Sequence, residues 1–360
     1  MNMKQLTYVL IVFWGLCSCH PIQRNIEQVS EIDSTLQVKV TTILENKLSE
    51  INALSGQVII MEVQTGRIKA LVGLTRKDST NYQSCNNFTI QRPTGLMNPI
   101  SVLAALETGK VKLDDIVDTG NGIYLVNGNE LKDHNWHRGG YGEITVKQGL
   151  ACNSNIAIAK ATLKAFKDNP MSYVTRLHQM GMGDLDKLED FEELHPIRLM
   201  SKDSIWHDTD LIYTCIGYNL SIAPIQALTF YNAIANNGRM LEPQLYKDSA
   251  MVINSQIASK VSIDSLKQAL QFNITDGLGK PAYSDKVVVA GMQGTTLVTT
   301  NEDTTKNEYA AEFCGYFPAD NPKYTIIVSI NKTGLPVSGG LMAGDVFRQL
   351  TEHIINLKLN

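Results

Sequence analysis

Gln91-Arg92-Pro93-Thr94-Gly95-Leu96-Met97-Asn98-Pro99-Ile100-Ser101-Val102-Leu103-Ala104-Ala105-Leu106-Glu107 reads as a loop, a tight turn and then an apolar helix. Helices of this kind often carry a catalytic nucleophile in their first turn. Here the exposed positions of that turn are expected to be Gly95 and Asn98. Neither side chain is a nucleophile or a base.

Around this helix, periodicity sets out the rest of the chain. Leu36, Val40, Ile43, Leu44, Leu48 and Ile51 recur at three and four, which predicts an amphipathic helix from Asp33 to Leu54. Asp33 and Ser34 are candidate N-caps, and Gly56 is expected to end it. Gln57–Val63 and Arg67–Val72 read as a hairpin turned at Gln64-Thr65-Gly66, and 75–92 as polar and irregular. Residues 127–143 read as a loop-rich excursion. Apolar helices are predicted at Asn153–Phe166 and Pro224–Ala235, and an amphipathic one over 252–276. Lys286–Ala290, Glu312–Phe317 and Tyr324–Ile330 read as strands, and Asp345–Ile355 as a closing helix. The order predicts an α+β domain: one antiparallel sheet covered by helices, with a helical block inserted midway.

Composition is that of a soluble globular protein, with 43% hydrophobic and 19% charged residues and a formal net charge of −4. No basic run marks a nucleic-acid footprint. The N-terminus is read apart from the fold. Lys4 precedes the short apolar run Leu6–Leu16, which suits a signal-peptide core better than a membrane span. Leu16-Cys17-Ser18-Cys19 then looks like a lipobox. Residues 1–18 are expected to be removed, Cys19 to carry lipid, and 19–30 to form a tether to a domain at 31–356. His20–Asn25 has no acidic patch, a hint toward the periplasmic face of the envelope. Cys85, Cys152, Cys215 and Cys314 show no C-x-x-C pair. Oxidation would allow three pairings if all four pair, and the reading leans to free, partly buried thiols.

From about residue 31 to 356 the chain resembles the transpeptidase domain of penicillin-binding proteins, of the class B septal type. The resemblance rests on pieces in the family's order: Thr65-Gly66-Arg67-Ile68-Lys69-Ala70, Val102–Gly109, Asp118-Thr119-Gly120-Asn121-Gly122, Ala223-Pro224-Ile225-Gln226, Ala233–Gly238, Gly315-Tyr316-Phe317-Pro318-Ala319 and Asn321-Pro322-Lys323-Tyr324. It implies the penicillin-binding protein transpeptidase or serine β-lactamase-like fold. It also implies three motifs. Ser-x-x-Lys puts an amine one helical turn from a nucleophilic hydroxyl. Ser-x-Asn supports proton transfer, and Lys-Thr-Gly grips the substrate carboxylate.

Each slot is altered. Gly95 stands at the Ser position and Asn98 at the Lys position, between Pro93 and Pro99. Asn153-Ser154-Asn155 fills the second motif and Met292-Gln293-Gly294 the third, before Thr295. Loss of a nucleophile alone typically costs on the order of 10⁶ in turnover, roughly 8 kcal/mol. The string Ser329-Ile330-Asn331-Lys332-Thr333-Gly334 mimics two motifs at the end of a strand, where residues three apart point to opposite faces. It reads as coincidence. His134 and His137, with Asp133, have no further metal ligand nearby and read as structural. Tyr124, Trp136 and Tyr141 read as packing before groove lining. Ser154 as a replacement nucleophile would need a base within reach.

The expected protein is a lipid-anchored pseudoenzyme of the cell envelope, with no cofactor and no metal. Its partner is expected to be a cell-wall peptide or a peptidoglycan-synthesis or division protein. The cleft is expected to be lined by Gly95, Asn98, Asn153, Asn155, Met292, Gln293, Gly294 and Thr295, with Asn98, Asn153, Asn155, Gln293, Gly294 and Thr295 contacting a ligand. The rival readings are an active transpeptidase, carboxypeptidase or β-lactam-hydrolysing enzyme, and a pure scaffold whose cleft has filled.

Overall fold

The structure, a computed structural model, describes residues 32–79, 81–85, 94–186, 188, 190–191, 208–246 and 249–359. The expected signal segment 1–18, the lipidation site Cys19, the tether 19–30 and Pro93 lie outside the described residues.

Helix α1 spans Ser34–Glu50, and the Asp33 carboxylate accepts the Leu36 N–H at 3.0 Å as its N-cap. Asn52, at φ 54°, ends the helix, four residues before the expected Gly56, which instead lies in the first strand. Asp33→Ala should cost about 1 kcal/mol, the usual worth of such a cap, measured by urea unfolding. The apolar stripe of α1 is interrupted by Lys47, buried at the base of the helix. Its ammonium lies 2.8 Å from both Glu50 and Asp345. Burial works against that charge, but the two carboxylates win and raise its pKa. The first helix is thereby tied to the last, α9.

Six strands make one antiparallel sheet. Strands β1 (Ser55–Glu62), β2 (Ile68–Arg76) and β3 (Tyr82–Ser84) come early. Strands β10 (Ala290–Thr299), β11 (Glu308–Phe317) and β12 (Tyr324–Thr333) come late. The order is β10-β11-β12-β1-β2-β3, so the chain's two ends meet where β12 pairs with β1. Alternation explains the continuous apolar runs. Val58 and Ile60 point into one core with Ile326 and Val328, while Ile59 and Met61 point into the other with Ile327. Helices α1 and α9 (Asp345–Leu359) cover the first face; Phe313 and Phe317 meet Phe347 there, with centroids 4.7 and 6.3 Å apart.

Four expectations are corrected. The strand expected at Lys286–Ala290 begins at Ala290 and runs to Thr299, because it is an edge strand and its polar half needs no second apolar face. Residues 75–92 are not all irregular: β2 extends to Arg76 and Tyr82–Ser84 adds a strand. Residues 127–143 hold part of a hairpin, β5 (Ile123–Val126) and β6 (Asn129–Lys132), turned at Asn127-Gly128, both at positive φ. Short strands β4 (Ile116–Asp118) and β7 (Glu143–Thr145) pair beside it. A further pair joins β8 (Met240–Leu241) to β9 (Val252–Asn254), so the helix expected over 252–276 begins only at Lys260, where Ser259 caps it.

The other face of the sheet carries the helical block. It holds α2 (Met97–Leu106), α3 (Val146–Ala151), α4 (Asn155–Phe166), α5 (Met171–Gln179), α6 (Asp208–Cys215), α7 (Pro224–Ala235) and α8 (Lys260–Asp276). All twelve residues of α7 are buried, as a helix apolar on every side requires. The Tyr231 hydroxyl on α7 donates to the Leu96 carbonyl at 3.0 Å and anchors the start of α2. The Ser329–Gly334 string lies in and just after β12, between β11 and β1, and the Lys332 ammonium donates to the carbonyls of Thr333 and Gly334. Cys85, Cys152, Cys215 and Cys314 are all unpaired thiols. Among the described residues, no helix is long and apolar enough to cross a membrane.

Candidate functional site

A cleft of about 880 Å³ opens between the edge strand β10, the loop after α8, the 3₁₀ turn Thr94–Leu96 and the start of α4. Gly95, Asn153, Asn155, Gln293, Gly294 and Thr295 line it, six of the eight expected positions. Its side walls are largely apolar, with Tyr218, Leu278 and Leu341 among them. The cleft is open, unlike the filled cleft of the scaffold reading.

Asn98 and Met292 do not line it, which corrects the expectation. Both are 0% exposed. Asn98 sits in the first turn of α2 and is turned inward, where its Nδ2 donates to Asn153 Oδ1 at 2.7 Å. Met292 alternates away from Gln293 on β10 and joins the core beneath the sheet. An apolar side chain at that position gains by burial, whereas a charged one would need a partner there.

Gly95 is the tightest point. A Cβ built on it would stand 2.5 Å from Asn153 Oδ1, 2.7 Å from Asn153 Nδ2 and 2.8 Å from the Gln293 carbonyl. Real Cβ atoms do not approach so closely, so any larger residue at 95 must displace Asn153 or the β10 backbone. Asn153 itself is held at φ 52°, a left-handed conformation that Asn tolerates better than most residues.

Ser154 is buried away from the cleft. It caps α4, accepting the Ala157 N–H at 3.0 Å, and donates to Asp133 Oδ2 at 2.6 Å. Asp133 Oδ1 accepts the Ile156 N–H at 3.1 Å. Burial pushes the Asp133 carboxyl above its usual range, against the pull of these donors. Asp133 therefore serves the helix start and is not grouped with His134 and His137 in a metal cluster; no such group exists among the described residues. His134 lines the cleft and lies 3.1 Å from the Tyr141 hydroxyl through Nε2. Burial lowers its pKa, and Arg138 and His137 add to that against Asp133. Cys152, beside Asn153, is pushed up to about 12 by burial and stays a thiol. Tyr124, Trp136 and Tyr141 are outside the lining.

Two contributors had little sequence signal. The pair of glycines at 339 and 340 hinted at a close approach: a Cβ on Gly339 would collide with the Gly294 and Glu312 carbonyls, and its N–H donates to Thr295 Oγ1 at 2.9 Å. Asn273 on α8 gave none. Its Nδ2 donates to the Gly291 carbonyl and to Gln293 Oε1, both at 2.8 Å.

The profile of the penicillin binding protein transpeptidase domain matches residues 56–352, so the chain belongs to that family. Its relatives include the probable peptidoglycan D,D-transpeptidase PenA of Neisseria flavescens, 23% identical over 92% of this chain and 82% of the relative. The stage V sporulation protein D of Bacillus subtilis is 25% identical over 87% of this chain, and the peptidoglycan D,D-transpeptidase FtsI of Escherichia coli K12 is 24% identical over 87%. The chain spans about half the length of these last two, 51% and 55%. Among solved structures, the TP domain of Burkholderia pseudomallei penicillin-binding protein 3 superposes with a TM-score of 0.78 at 24% identity, over 91% of this chain and 96% of the other. That likeness establishes the α+β fold.

Proposed function

We propose that this chain is a non-catalytic member of the family, one that binds a cell-wall peptide or a peptidoglycan-synthesis or division protein. It acts in the cell envelope on the periplasmic side, held to a membrane by lipid on Cys19 after removal of residues 1–18. The observation that carries this reading is the crowding at Gly95, where the Asn153 amide and the Gln293 carbonyl fill the space a serine side chain would need. Asn98 and Met292, standing at the base and cation positions of the family's motifs, supply neither a base nor a charge. The polar side chains left on the cleft surface are amides, hydroxyls and the His134 imidazole, which suit hydrogen bonding to a peptide.

A second reading is an active peptidoglycan transpeptidase, carboxypeptidase or β-lactam-hydrolysing enzyme with rearranged residues. The names of the relatives favour it, since two of those above are described as D,D-transpeptidases or probable ones. It needs a nucleophile beside a base, and Ser154 is fully buried against Asp133. Incubation with a labelled penicillin separates the two. The expected result is no label on the protein after denaturation. A stoichiometric covalent adduct would sink the non-catalytic reading.

A further inference from the structure

The hydrogen-bond pattern on the cleft floor fixes what kind of group it meets. The Gly279 N–H donates to Asn273 Oδ1 at 3.2 Å, which orients that amide. Its Nδ2 then faces Gln293 Oε1, so the Gln293 NH₂ is turned away from Asn273. That NH₂ is buried without a partner, on a residue only 4% exposed that lines the cleft. With under 1 Å² of accessible surface, that NH₂ is closed off from the cleft in this arrangement. Asn153 differs in being only partly buried. Its Oδ1 is taken by Asn98, which leaves its NH₂ as the free half of the amide beside Gly95.

Of these two uncharged donors, the Asn153 NH₂ is the one open to the cleft. No Lys, Arg, Asp or Glu is among the described residues lining the cleft, and Met292 is buried beneath it. A carboxylate entering would lose its hydration with no cation to replace it, a cost that a neutral carbonyl does not face. Apolar walls on either side, at Tyr218, Leu278 and Leu341, suit a chain whose side groups are not charged.

Resting on the peptide-binding reading, the geometry points to a ligand that presents neutral backbone carbonyls. This is the interior of a peptide, or an end whose carboxylate is already tied up as an amide, and not a free carboxylate end. A cross-linked or amidated cell-wall peptide has this chemistry. An uncross-linked peptide with a free carboxylate does not.

The test is isothermal titration calorimetry on the full chain in nanodiscs. One cell-wall stem peptide is prepared in two forms, with a C-terminal carboxamide and with a free carboxylate. The carboxamide form is expected to bind at least about tenfold more tightly. Equal or tighter binding of the carboxylate form overturns this inference and leaves the peptide-binding reading standing. Absence of binding by either form overturns both.

Discussion

Asp133→Ala is expected to lose about 3 kcal/mol of stability. The carboxylate is 1% exposed and accepts from both the Ser154 hydroxyl and the Ile156 N–H. Truncation leaves those two donors buried at the start of α4, the helix that follows Asn153 and begins with Asn155. The loss should therefore reach the cleft as well as the fold. Asp133→Asn keeps one acceptor and should cost about 1 kcal/mol. The two variants also differ in pH dependence from wild type. Burial raises the folded-state pKa of Asp133 above its unfolded value. Its contribution is therefore complete below the unfolded pKa, near pH 4, and is lost as pH rises through the folded one. Urea midpoints measured from pH 3.5 to 7 should show this decline in wild type on top of the other carboxylates, and less of it in Asp133→Asn. Identical profiles would mean that Asp133 is not the strained acid the geometry makes it.

The parts of the molecule that were legible in the sequence are those governed by a short repeat. The helix at Pro224–Ala235 was bounded by Pro at one end and Asn-Asn-Gly at the other, and α7 has those bounds. The strands β1, β11 and β12 announced themselves by apolar runs, because each feeds two cores at once. Strand β10 was placed too early. Its apolar half is interrupted by Gly291 and Gly294 and its outer half by threonines, so neither run nor alternation marked it. The cleft followed the same division. Position along the chain located Gly95, Asn153 and Gln293, but not the direction of each side chain. Asn98 faces inward because Asn153 offers it an acceptor 55 residues further on, and Met292 faces inward because the pleat alternates from Gln293. Asn273 was invisible because a single Asn on an amphipathic helix carries no pattern. Its role depends on a long-range contact with β10.

Gly95→Ala is expected to cost about 1–3 kcal/mol, although glycine to alanine in a helical turn is ordinarily neutral or stabilising. The reversal of sign is what makes the variant informative. Gly95 lies in the 3₁₀ turn Thr94–Leu96 and has no left-handed backbone to protect, so the penalty must come from the space around it. Two obstacles share that space: the Asn153 amide, at 2.5 and 2.7 Å from the added carbon, and the Gln293 carbonyl at 2.8 Å. The carbonyl belongs to a sheet strand and cannot retreat without disturbing β11. The side chain can be removed. Asn153→Gly tolerates the φ of 52° and clears one obstacle, so Gly95→Ala should be less costly in that background. A double-mutant cycle by urea unfolding should return a coupling of about 1 kcal/mol. Simple additivity would show that Asn153 is not what excludes a side chain from position 95. The same cycle bears on chemistry. If the pocket is crowded as described, Gly95→Ser with Asn98→Lys restores two residue types without restoring room for them. Neither that pair nor Gly95→Ser alone should then acquire a penicillin adduct, and a rapid adduct in either would mean the turn can open to seat a nucleophile.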